Sequence, residues 1–251
     1  TIVAVVGITP YLGLQLKAVM TTFSLLSGRP EGSQFAGWAI SLLLSVFAVM
    51  FGARKLDASE RHGGLMFAVA FESAFKLGAF LLVGLFVAYG AFDGFGDIFS
   101  RIGTGPYAGL MSLGEGSAGS YLEWTSLIFL SMMAILFLPR QFQVAVIENV
   151  NEKHLSKAIW LFPLYMLAIN VFVLPIAFGG LLHFPEGTVD ADTFVLTLPM
   201  SQKQELLALL VFIGGLSAAT GMVIVETIAL STMVCNDLVM PVLLRLRGLR
   251  L

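Results

Sequence analysis

Apolar residues run through this chain in six long blocks, at roughly 1–24, 36–53, 63–91, 122–139, 158–183 and 204–234, and the polar residues collect between them. A helix needs about 20 mostly apolar residues to cross the hydrocarbon of a bilayer, so each block is long enough for a span. Lipid offers no partners to backbone N–H and C=O groups, which leaves helices and closed barrels as the spanning forms. The blocks have neither the length of about ten residues nor the strict alternation of barrel strands. The pattern therefore predicts an all-α membrane protein: a polytopic bundle of about six transmembrane helices, with 1–251 forming a single transmembrane domain.

Composition agrees with the pattern. Of 251 residues, 57 % are hydrophobic and 12 % charged, where soluble domains carry roughly a quarter charged residues. The net charge of −2, with no basic stripe outside the short loops, excludes nucleic acid as a partner. The lipid bilayer is the partner that composition implies. One set of connections holds Arg54, Lys55, Arg61, Arg140, Lys153, Lys157, Arg245, Arg247 and Arg250, and the alternate set only Arg29, Arg101 and Lys203. The basic set is expected on the cytoplasmic side, so the first span runs outward and the last inward. Trp38, Trp124 and Trp160 each fall at the start of a block, where indole rings favour the headgroup level.

Some polar groups lie inside the oil. The third block, "FAVAFESAFKLGAFLLVG", carries Glu72 and Lys76 four apart, stacked on one helix face with the carboxylate toward the N-terminus. A lone charge at the bilayer centre costs at least about 2.5–3.5 kcal/mol, so the pair is expected to face other helices or a wet cavity. It belongs either to a solute or proton pathway or to an ion pair that fixes helix contacts. Lys17 snorkels to the outer interface. Pro10 with Gly13, and Pro163 with Pro175, mark expected bends. In the sixth block Gly214, Ala218 and Gly221, flanked by Gly215 and Ala219, form a smooth stripe suited to close helix packing. Its continuation, Glu226, Thr227, Ser231, Thr232, Asn236 and Asp237, either lines an inner vestibule or reaches the cytoplasm.

The connection Asp93–Tyr121, rich in Gly and Ser, is read as an external gate or a linker. His62, His154 and His183 stand far apart at block ends and make no metal site; Cys235 is alone, which excludes an internal disulfide and a CxxC motif. No nucleophile elbow, phosphate-binding glycine loop or HExxH helix is present, so these residues give no case for an enzyme or a bound cofactor. Thr1 opens the chain in mid-block, and the expectation is a fragment of a longer protein.

Four stretches, "PYLGLQLKAV", "GARKLDASERHGGLMFAVAFESAFKL", "FLPRQFQVAVIENVNEKHLSKAIWLFPLY" and "FIGGLSAATGMVIVETIALSTMVCNDL", occur in an order that resembles the sodium:solute symporter family. The resemblance is nearest to the branch whose symporter-like domain is fused to a sensor histidine kinase, of the CbrA type. It implies a LeuT-like inverted-repeat core in a bacterial inner membrane, with these blocks as core helices three to eight and the other helices elsewhere in the protein. It also implies that Ser131, Ile135 and Pro139 line a solute cavity and that Glu60 matches a family aspartate. The family's sodium ligands would fall at Ala218, Gly221 and Met222, which supply neither of the two hydroxyls expected there. A hard cation prefers oxygen to a thioether. Glu72, Lys76 and Glu226 thereby become candidates for coupling to H+ in place of Na+. Two functions are implied: symport of a small polar solute such as an amino acid, or sensory input to a fused cytoplasmic kinase.

Overall fold

The computed structural model describes residues 1–28, 34–52, 63–112, 121–185 and 187–245, and among these no strand occurs. The helices are α1 (Ile2–Ser27), α2 (Gln34–Gly52), α3 (Gly63–Phe86), α4 (Phe95–Thr104), α5 (Tyr121–Phe137), α6 (Pro139–Phe142), α7 (Lys153–His183), α8 (Phe194–Ser201), α9 (Glu205–Val234) and α10 (Met240–Arg245). Wider π turns at Val87–Ala91, Gln143–Ile147 and Cys235–Val239 extend α3, α6 and α9. The protein is thus an all-α polytopic membrane protein. Among the described residues, four helical runs are long and apolar enough to cross a bilayer, Ile2–Ser27, Met66–Ala91, Lys153–His183 and Glu205–Arg245; α5 with α6 makes a fifth if that bent pair is one span. The block expected at 36–53 falls on α2.

Side chains follow the demands of lipid. Large apolar groups such as Val3, Phe67, Leu122, Leu161 and Trp160 stand exposed, an arrangement water does not tolerate over so wide an area. Hydroxyls within the helices turn back on their own backbone. Thr9, Thr22, Ser45, Thr125, Ser126, Thr220 and Thr227 each donate to the carbonyl four residues earlier at 2.7–2.9 Å, so none leaves its proton unpaired in hydrocarbon.

Helix α1 runs unbroken through Pro10 and ends at Gly28, whose left-handed φ of 63° lets its N–H reach the Leu25 carbonyl. The one sharp break among the described spans is at Leu138. A residue before proline is pushed to extended backbone, and Leu138 sits at φ −72°, ψ 126°; Pro139 then takes the first position of α6, where it needs no N–H.

The chain divides into two compact units, Thr1–Glu72 with Leu136–Glu152 and Leu216–Leu251, and Ser73–Ile135 with Lys153–Gly215. In the first, α1 packs beside α2 and antiparallel to the second half of α9. In the second lies the main core, built from Val83, Val87, Ala88, Ile98, Ile102, Phe172, Ile176, Phe178, Phe194 and Leu198. Helices α4 and α8 both lie against α7 there. The connection Asp93–Tyr121 is therefore no simple loop: Phe95, Ile98, Phe99 and Ile102 recur at helical spacing, with Ile98 and Ile102 fully buried and the Phe99 ring edge-on to Phe178 at 5.6 Å. On its polar face Arg101 donates to Asp97 at 2.7 Å and holds that carboxyl below its usual range.

Aromatic rings fill the space above two glycines. A β-carbon at Gly84 would overlap the Phe172 ring, and one at Gly180 the Phe194 ring, whereas one at Gly96 would meet nothing within 4 Å. Gly84→Ala and Gly180→Ala are each expected to cost about 1–3 kcal/mol through overpacking. Thermal unfolding of the purified full-length protein should show both losses and leave Gly96→Ala near the wild type.

Candidate functional site

The break at Leu138 sets the direction of Arg140, the second residue of the new helix. Its Nη1 donates to the Tyr11 hydroxyl at 2.8 Å, and its guanidinium carbon lies 5.3 Å from the centre of that ring. The Tyr11 hydroxyl in turn donates to Met222 Sδ at 3.2 Å. One turn further along α9 stands Glu226, 2 % exposed, its Oε2 3.8 Å from Arg140 Nε. That separation is an ion pair and too long for a hydrogen bond. Among the described residues Oε2 accepts none. Helices α1, α6 and α9 of the first unit thus meet at a chain of polar groups, Glu226, Arg140, Tyr11 and Met222, inside otherwise apolar surroundings.

Charge decides how this cluster behaves. Burying an ion costs several kcal/mol, offset only by a close counter-charge with good hydrogen bonds. Arg140 has a phenol on one nitrogen and Glu226 near another, so each charge is compensated, though loosely. The arrangement has the means to hold an anion at the guanidinium, or a proton or cation at the carboxylate.

The small-residue stripe of α9 is used at two levels. In the first unit the Glu72 carboxylate occupies the space that a side chain at position 221 would take: a β-carbon on Gly221 would lie 2.5 Å from Glu72 Oε2. In the second unit a β-carbon on Gly214 would lie 3.4 Å from Ala79 Cβ and 3.6 Å from Lys76 Cα. A buried share of 39 % makes α9 the most enclosed of the four long spans, against 11 %, 28 % and 22 %. Glu72 and Lys76 lie a turn apart on unbroken helix, and Tyr165 of α7 donates to the Ser73 carbonyl at 3.1 Å.

The remaining expected residues are scattered. Ser131 and Ile135 are exposed on α5, and Pro139 is half-buried at the start of α6. Glu60 lies outside the described residues. Of the positions implied for sodium, Met222 receives the Tyr11 hydroxyl, Gly221 faces Glu72, and Ala218 is half-buried; the neighbouring Thr220 spends its proton on the Leu216 carbonyl. Glu226, expected at a vestibule or in the cytoplasm, is enclosed and ion-paired. Tyr11 and Arg140 were not expected here. Arg140 counted as an inside-facing loop charge within one of the family-like stretches, and the phenol beside Pro10 is a polar tip in an apolar run, a group that takes a partner when enclosed.

No family model matches the chain, and no solved structure matches it significantly. Among curated proteins it is similar to the uncharacterized symporter YhjB of Bacillus subtilis (strain 168), with 26 % identity over 202 residues, 80 % of this chain. The chain spans 38 % of that relative's length.

The ion pair predicts non-additive substitutions. Arg140→Ala should destabilise by about 3–5 kcal/mol, because it strands the buried Glu226 carboxylate, and Glu226→Ala by less, because Arg140 is only partly buried and keeps Tyr11. The double substitution should cost less than their sum by about 0.5–3 kcal/mol in an unfolding cycle on the full-length protein. Strictly additive losses would mean that the two charges do not interact.

Proposed function

We propose that this chain is part of a secondary transporter of the symporter type, which moves a small polar solute across a bacterial inner membrane by alternating access. The observation that carries the reading is the enclosed Glu226–Arg140–Tyr11 cluster. Ionised groups inside the membrane are costly, and their usual service is to solute or ion pathways. Similarity to a symporter of a bacterium points the same way. On this reading the fold is a LeuT-like inverted repeat of the sodium:solute symporter kind, completed by helices elsewhere in the protein, and the solute is of amino-acid type. Na+ or H+ drives it, with no cofactor and no catalysis by these residues.

A second reading has its own support. Ala218, Gly221 and Met222 carry no hydroxyl where the family resemblance places sodium ligands, which suits a domain that senses a solute without pumping it. In that case occupancy biases a two-state bundle joined to a cytoplasmic kinase, and the solute acts only through its differential affinity for the two states.

Full-length protein in proteoliposomes, given labelled amino acids and small organic acids with an imposed Na+ or H+ gradient, is expected to accumulate at least one of them. A flat trace across the panel under both gradients contradicts transport. Solute binding to that same preparation without uptake favours the sensory reading.

A further inference from the structure

Glu226 Oε2 is buried and accepts no hydrogen bond among the described residues, and its counter-ion stands 3.8 Å away. A pair kept only for stability gains most from close contact with every lone pair filled. This one is left open on the carboxylate side, while Arg140 keeps a 2.8 Å bond to Tyr11 that does not depend on Glu226. A proton fits such an oxygen without any further room.

We propose that Glu226 is a proton-binding site whose protonation dissolves the ion pair joining α6 to α9. The step is a proton transfer: an O–H bond of hydronium breaks as one forms on the Glu226 carboxylate, water leaves, and the Glu226–Arg140 pair passes from net zero to net +1. Arg140 remains held by Tyr11 and exchanges its counter-ion for water or an anionic group of a solute. Among the described residues, the titratable or charged groups that meet this half of α9 are Arg140 from α6, Tyr11 from α1 and Glu72 from α3, the last against Gly221 five positions earlier; Asp237 follows on the same helical run. Of these, Arg140 alone is positive, so it alone favours the ionised form of Glu226. Because α6 begins at the break after Leu138, its tie to α9 rests on side chains. Proton binding therefore favours conformers in which the two helices part, in proportion to its differential affinity for them. Coupling of that proton to solute movement rests on the transporter reading; the proton site does not.

Infrared difference spectra of the full-length protein in lipid, titrated between about pH 4 and about pH 9, test it directly. A carboxylic C=O band should grow on acidification, vanish in Glu226→Gln, persist in Glu72→Gln and in Glu148→Gln, the buried carboxyl that follows the Gln143–Ile147 turn, and be the same in sodium chloride and choline chloride. Glu226→Asp keeps a carboxyl should Glu226→Gln fail to fold, and it should move the band without removing it. A band that survives Glu226→Gln, or is indifferent to Glu226→Asp, overturns the proposal. So does a band that sodium suppresses, which would make Glu226 a cation ligand. An intact Glu226 band with no uptake in proteoliposomes removes only the transport reading, whereas uptake without the band removes the proton site.

Discussion

Hydrocarbon solvates neither peptide groups nor ions, and the structure follows from that constraint at each level. Backbone groups are satisfied within helices, hydroxyls return their protons to their own helix carbonyls, and apolar side chains face outward freely. What lipid will not accept, the protein must enclose. Glu226 is enclosed at 2 % exposure, with Arg140 as its counter-charge and Tyr11 fixing the guanidinium from the far side. None of these groups would be stable singly at such a place.

Backbone irregularities give the enclosed groups their directions. Proline alone does not break a helix here, since α1 and α7 run through Pro10, Pro163 and Pro175. Pro139 differs because Leu138 before it is extended, so a new helix starts and points Arg140 inward. Glycine acts through absent bulk: position 221 admits a carboxylate, and positions 84 and 180 admit aromatic rings. The Gly221 contact shows how a residue without chemistry of its own can place one that has it.

Much of this was legible in the sequence, and the parts that were not share a cause. Block length and apolarity indicated the long helices, because spanning lipid is a one-dimensional demand readable residue by residue. The stripe from Gly214 to Gly221 likewise marked the helix that proves most enclosed. Helix α4 went unread because its period, Phe95–Ile98–Phe99–Ile102, is short and lies in a stretch rich in glycine. The partnership of Tyr11, Arg140, Met222 and Glu226 was out of reach for a different reason: Tyr11 and Glu226 are far apart in the chain, and only tertiary packing brings them together. Arg140 looked like a loop charge, and one φ/ψ change at Leu138 made it an interior group.

For function, the same physics narrows the choices. An enclosed ion pair with an open carboxylate oxygen is a group whose charge state and helix contacts change together. That property suits a protein that must alternate between conformations, whether it carries a solute or reports one. The central claim is that α1, α6 and α9 meet through Arg140 inside the protein. A density map of the full-length protein in a lipid nanodisc tests this most directly. The account predicts the Arg140 guanidinium between the Tyr11 hydroxyl and the Glu226 carboxylate; Arg140 extended into cytoplasmic solvent, with Glu226 turned elsewhere, would contradict it.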